Sequence, residues 1–215
     1  MTPSQEDVFA AFKSGQNLVL HGSAGTGKTF ISLYLALQAV LEPSSPYDRV
    51  YIVRSLVPTR EIGFLPGDEE DKSCLYQIPY KHMVRYMFNM PDEGAFKVLY
   101  ENLRNQGSID FWSTSFLRGI TLDRAIIIVD EFSNLNFHEL DSIVTRVGQD
   151  SRIIFSGDYT QSDLVKSHER TGVLDFMKIT QAMESFTCTE FGINDIVRSG
   201  FIRDYLICKH EMGFD

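Results

Sequence analysis

Short apolar, β-rich runs recur along the chain at Asn17–Leu20, Arg49–Val53, Ile109–Trp112, Ala125–Val129, Arg152–Phe155 and Ser185–Phe191. Runs of this length and composition predict strands. Between several of them apolar positions return at the helical period, over Phe30–Leu41, Asn136–Val147 and Asn194–Cys208, and an amphipathic helix is predicted around Asp7–Lys13. Strands alternating with helices predict an α/β fold with a mainly parallel sheet covered on both faces. The run Ile126-Ile127-Ile128-Val129 is continuous, not alternating, the pattern of a central strand buried on both sides.

One region departs from this rhythm. From about 59 to 105 the chain carries the acidic run Asp68-Glu69-Glu70-Asp71, prolines at 66, 79 and 91, and aromatics including Tyr76, Tyr80, Tyr86 and Phe88. It reads as a partly helical insertion projecting from the sheet of a single domain spanning 1–215. The acidic run reads as a solvated face.

The segment after the first predicted strand is Gly22-Ser23-Ala24-Gly25-Thr26-Gly27-Lys28-Thr29, which fits G-x-x-x-x-G-K-[ST] in full and opens a predicted helix. Strand, glycine-rich loop and helix in that order are the context in which this motif cradles a nucleoside triphosphate. Successive backbone N–H groups turn toward the phosphates, and the helix N-terminus adds its positive dipole end. Lys28 is expected to reach the β- and γ-phosphates, and the Thr29 hydroxyl to ligate Mg²⁺.

About a hundred residues on, Ala125–Val129 ends in Asp130-Glu131. An acid at the carboxyl end of such a strand holds the magnesium beside the loop hydroxyl, which points to Asp130. Glu131 is then placed to activate a water for in-line attack on the γ-phosphate. The next strand exits through Ser156-Gly157-Asp158-Tyr159-Thr160-Gln161, and Gln161 is expected to sense the γ-phosphate through the attacking water. Gln5, in Thr2-Pro3-Ser4-Gln5, offers both donors and an acceptor, which leaves an adenine contact and a helix cap open. Arg198 and Arg203, at the start of the last predicted helix, are candidates for a guanidinium that meets the γ-phosphate.

Composition constrains these readings little. The chain has 215 residues, 43% of them hydrophobic and 23% charged, as in an ordinary globular domain. No apolar stretch is long enough to cross a bilayer and no signal pattern opens the chain. Three isolated cysteines without C-x-x-C spacing fit a reducing cytoplasm. The net charge of −9 argues against a surface basic throughout and leaves a local basic groove open.

Taken together the motifs resemble the PhoH family of P-loop ATPases. The resemblance runs through Val53-Arg54-Ser55, Gly63-Phe64-Leu65-Pro66-Gly67-Asp68, Phe116-Leu117-Arg118-Gly119-Ile120-Thr121-Leu122, Asp130-Glu131 with Asn134, and Thr145-Arg146-Val147-Gly148. It continues in Gly157-Asp158-x-Thr160-Gln161-x-Asp163-Leu164 and Asp195-Ile196-Val197-Arg198. It implies a RecA-like P-loop core related to superfamily 1 helicases, with ATP and Mg²⁺ as cofactors. Gln5 would contact adenine, and Gln161 would sense the γ-phosphate. It further implies a ring, hexameric by expectation, and hydrolysis coupled to single-stranded nucleic acid, RNA before DNA. The compact length resembles a short phage-type member acting in a bacterial cytoplasm, without room for the RNA-cleaving domain that some relatives carry. Where the family reads D-E-A-Q-N this chain reads Asp130-Glu131-Phe132-Ser133-Asn134, losing one polar group near the phosphates.

Because a second motor domain is not seen in the sequence, the arginine meeting the γ-phosphate is expected from a neighbouring subunit, with Arg198 or Arg203 as donor. Arg54, Arg118, Lys81 and Arg85 are candidate nucleic-acid phosphate contacts, and Trp112 or Phe64 candidate base-stacking residues. Two other classes stand beside the motor: a nucleotide-controlled assembly switch with slow hydrolysis, and a small-molecule kinase. No cluster of lid arginines supports the kinase.

Overall fold

The computed structural model describes residues 1–54, 69–117, 119–158 and 167–213, the side chains of 69–75, 115–116 and 167–171 excepted. Arg118, Gln161 and the Gly63–Asp68 motif with Phe64 lie outside the described residues.

Six strands, β1 (Asn17–Gly22), β2 (Arg49–Arg54), β3 (Ile109–Ser113), β4 (Ala125–Asp130), β5 (Arg152–Ser156) and β6 (Phe186–Phe191), form one sheet in the order β3-β2-β4-β5-β1-β6. Every pairing is parallel. The helices are α1 (Pro3–Lys13), α2 (Lys28–Leu41), α3 (Glu69–Met87), α4 (Glu93–Asn105), α5 (Phe137–Val144), α6 (Ser167–Ala182) and α7 (Phe201–Glu211).

The continuous isoleucine run of β4 has a direct explanation. Side chains alternate across a strand, so Ile126 and Ile128 enter the core under α1 to α4, whereas Ile127 and Val129 enter the core under α5 and α6. Both faces are dry and all six residues of β4 are buried. Along Ala125–Val129 the strand has no solvent side for a polar residue, and the buried Asp130 comes only at its carboxyl end.

The region after β2 differs from expectation. Tyr80 and Val84 of α3, with Phe96, Tyr100 and Leu103 of α4, belong to the same buried cluster as Leu20, Ile52 and Ile126 of the sheet. These helices cover a face of the sheet instead of projecting from it. Lys81 and Arg85 accordingly serve the packing: Lys81 lies over the Tyr100 ring, and Arg85 lies over Phe96 while donating to the carbonyls of Met90 and Pro91. Trp112 packs edge-on against Tyr51 and donates to Asp110. The last helix also starts later than its apolar pattern suggests. A short 3₁₀ turn occupies Ile193–Asp195, α7 begins at Phe201, and none of its residues is buried.

Strand order sets up the site. β5 lies between β1 and β4, with Leu20 opposite Ser156 and Ser156 opposite Asp130. The carboxyl ends of all three strands therefore open on one edge, where ligands bind in open α/β sheets. Gly22, closing β1, has φ +110°, and a Cβ there would stand 2.3 Å from the Phe191 carbonyl oxygen. Gly22→Ala should therefore destabilise the chain by about 2–4 kcal/mol through overlap and left-handed strain together. Urea denaturation of the two proteins checks this, and an unchanged midpoint contradicts it.

Candidate nucleotide site

The loop from Gly22 to Gly27 turns from β1 into α2. Gly27 caps the helix with φ 84°, no side chain caps its N-terminus, and no acid lies in its first turn. The first N–H groups of an α-helix have no partner within it, so this end is open to an anion. Thr26, fully buried, donates to the Ser23 carbonyl and braces the loop.

Lys28 is 8% exposed and folds back over the loop, its Nζ donating to the carbonyls of Gly22 at 2.8 Å and Ser23 at 2.7 Å. Burial pushes its ammonium below the usual lysine range, opposed by Asp158, Glu131 and Asp130 in that order. The cation thus faces the carboxylates contributed by β4 and β5. This is the geometry that lets an ammonium exchange its carbonyl partners for phosphate oxygens.

Thr29 and Asp130 meet across 101 residues: the threonine Oγ1 donates to Asp130 Oδ1 at 2.9 Å. A hydroxyl and a carboxylate oxygen side by side are hard oxygen donors that would suit magnesium. When bound, that ion would neutralise charge on the β- and γ-phosphate oxygens. The other oxygen of Asp130 accepts from the Tyr80 hydroxyl at 2.5 Å.

Glu131 has φ +53°, a left-handed conformation uncommon for a residue with a side chain and worth about 1–3 kcal/mol of strain. The turn separates the two acids. Asp130 stays on the strand beside Thr29, while Glu131 initiates the 3₁₀ turn Phe132–Asn134. Gly157 permits the close approach, since a Cβ on it would lie 3.0 Å from the Phe132 ring and 3.1 Å from its backbone nitrogen. Burial, then Asp130, raises the Glu131 carboxyl above its ordinary range, with Arg54 and Lys28 pulling it down. Phe132 is fully buried against Phe155 and Phe176, so this departure from the family pattern fills the core.

Gln5 is buried and occupied. Its side-chain oxygen accepts from the Thr2 N–H while Thr2 Oγ1 accepts from the Gln5 N–H, a reciprocal capping box; its amide donates to the Thr26 carbonyl at 3.3 Å. It therefore ties α1 to the phosphate loop. Arg198 lies on the loop of its own chain, because a Cβ on Gly25 would meet its Cγ at 3.1 Å, and Val197 N–H donates to the Gly25 carbonyl. Arg203 lies on the exposed helix α7. Arg54, at the end of β2, sits among Tyr80, Asp130 and Glu131, which outweigh its burial and hold its pKa up, and it stacks over the Tyr76 ring.

Tyr80 and Asp158 complete the arrangement. Asp158 is expected at this carboxyl edge of the sheet from its place after β5. Nothing in the local pattern around Tyr80 marks it, because its role comes from the packing of α3.

His21, one residue before the loop, is 6% exposed. Burial lowers its pKa from the ordinary 6.5, Glu190 and Asp158 opposing and Lys28 adding to the shift. The folded chain thus holds the neutral ring, while the unfolded chain takes up a proton near its ordinary value. Its stabilising contribution is complete above that value and is lost as pH falls through the folded pKa. Denaturation at pH 8 and pH 5.5 should show wild type losing more stability than His21→Gln; equal losses contradict the expectation.

A parallel sheet with a phosphate loop after its β1 strand, a hydrogen-bonded threonine–aspartate pair and a neighbouring glutamate define the P-loop NTPase fold. Among solved structures, the large terminase of the thermophilic bacteriophage D6E is similar in fold, with a TM-score of 0.59 over 97% of this chain and 50% of that one at 10% identity. The family model described as PhoH-like protein matches residues 1–208, and the chain belongs to that family. A PhoH-like protein of Synechocystis is 33% identical over 183 residues, 85% of this chain and 53% of the relative. Protein PhoH of Escherichia coli K12 is 31% identical over 191 residues, 88% of this chain and 51% of the relative. The chain thus spans about half the length of these relatives.

Proposed function

We propose that this chain is a Mg²⁺-dependent ATPase whose hydrolysis is coupled to binding or remodelling single-stranded nucleic acid, RNA before DNA. The observation that supports the ATPase reading is the 2.9 Å contact between Thr29 and Asp130, the two residues expected to hold magnesium. Lys28 holds the β- and γ-phosphates, Thr29 and Asp130 hold the ion, and Glu131 takes the proton of the attacking water. Gln161 senses the γ-phosphate. The phosphate loop from Gly22 to Thr29 and the N-terminal Gln5 complete the nucleotide contacts. The coupling to nucleic acid rests on the family resemblance.

The chain acts as one RecA-like domain in the cytoplasm, assembled as a ring, a hexamer by family resemblance. Arg198 already lies on its own phosphate loop, so the cross-subunit role falls to Arg203. Mixing Lys28→Ala chains with Arg203→Ala chains restores part of the hydrolysis if neighbours share sites, and complete absence of rescue removes the shared site.

Hydrolysis measured with Mg²⁺, with and without single-stranded RNA or DNA, tests the main reading. Strong stimulation supports the motor. Hydrolysis without stimulation supports instead the nucleotide-controlled switch, and no magnesium-dependent hydrolysis overturns the ATPase.

A further inference from the structure

Tyr80 comes from α3, 50 residues before Asp130 in sequence, yet its hydroxyl occupies one carboxylate oxygen of the predicted magnesium ligand. The side chain is 2% exposed and its ring packs against Phe111 at 5.4 Å. Arg54, at the end of β2, lies near the same phenol. An ionised carboxylate can only accept, so the phenol donates its proton to Asp130 Oδ2. On the other side Thr29 engages Oδ1.

We propose that Tyr80 is a positioning residue that makes the site selective for magnesium, by holding Oδ2 of Asp130 so that the carboxylate offers a single oxygen, Oδ1, to a metal. This rests on the magnesium–nucleotide reading above. The physical reason lies in the two ions' coordination. Magnesium takes six ligands at 2.0–2.1 Å and is satisfied by one carboxylate oxygen, whereas calcium takes six to eight at 2.3–2.6 Å and readily uses both. A carboxylate with one oxygen tied to a buried phenol cannot turn both toward the larger ion. Without the hydroxyl the carboxylate is free to rotate, and its pairing with Thr29 loosens.

The test is binding of a fluorescent ADP analogue in EDTA, in Mg²⁺ and in Ca²⁺, to wild type and to Tyr80→Phe. Phenylalanine keeps the ring and its packing, and thermal melting confirms the fold. The expected result is unchanged affinity in EDTA with a preference for Mg²⁺ over Ca²⁺ reduced about tenfold, the effect of one hydrogen bond to a charged group. A substitution that only disturbed packing would weaken all three conditions alike. The same preference in both proteins overturns the proposal. So does wild type that binds more tightly with magnesium but equally well with calcium, an outcome needing no variant. If wild type gains nothing from any metal, the magnesium–nucleotide reading itself fails.

Discussion

Lys28→Ala should lower ATP hydrolysis by about 10²–10³-fold, the usual effect of removing one preorganised charge that meets the developing transition state. The lysine is buried, and its ammonium is held at 2.8 and 2.7 Å by the carbonyls of Gly22 and Ser23. Its cost of burial is partly offset by Asp158, Glu131 and Asp130. A polyphosphate entering the loop offers the same cation stronger, charged acceptors, and negative charge grows there as the γ-phosphoryl leaves. Lys28→Arg should fail to restore the rate. A planar guanidinium needs a fork of acceptors in one plane, and the space around an 8% exposed side chain admits a compact ammonium. Steady-state hydrolysis of both variants, with circular dichroism as the check on folding, measures this. A Lys28→Ala protein within tenfold of wild type contradicts the assigned role.

Glu131→Gln should behave differently: hydrolysis lower by about 10²–10⁴-fold, with ATP affinity unchanged. That range is what a positioned general base contributes. Binding is spared because phosphate is held by the loop and by Lys28, whereas Glu131 stands across from them on β4's exit. The glutamate is held in a left-handed backbone conformation, strain that a plain strand end has no reason to carry. Burial and the Asp130 charge raise its carboxyl, which makes it a stronger base once ionised. Glutamine matches its shape and removes only the ability to take a proton. Single-turnover hydrolysis compared with equilibrium ATP binding separates the two effects. Equal weakening of both would make Glu131 a binding residue and leave the attacking water without its base.

The two variants together also distinguish the site's halves. On the proposed reading Lys28 meets charge already present in a bound nucleotide and so should affect binding and chemistry, whereas Glu131 meets a proton that moves only during the reaction.

Much of this could be read along the chain because it is local. Each strand shows as a short, largely apolar run, and the phosphate loop shows as an octapeptide whose glycines meet a backbone requirement, Gly22 at φ +110° and Gly27 at φ 84°. Such constraints act within a few residues, so they leave a contiguous trace. The acid pair is legible for the same reason, since it terminates a strand that is apolar throughout.

What tertiary structure alone decided is which distant groups share a space. Tyr80 lies in a segment that looks like an appendage, and it reaches Asp130 only because Val84, Phe96 and Tyr100 bury α3 and α4 against the sheet. Arg198 reads as a residue of the last helix, yet the turn at Ile193–Asp195 and the start of α7 at Phe201 lay it on its own loop. Gln5 has the chemistry for adenine or for a cap, and only the fold shows it bonded to Thr2 and Thr26. In each case the partner is set by packing across the sheet, where burial free energy gathered from many residues determines the position of one. No short stretch of sequence carries that sum, so the backbone elements and the phosphate loop were written locally, and the environment of Asp130 and Glu131 was not.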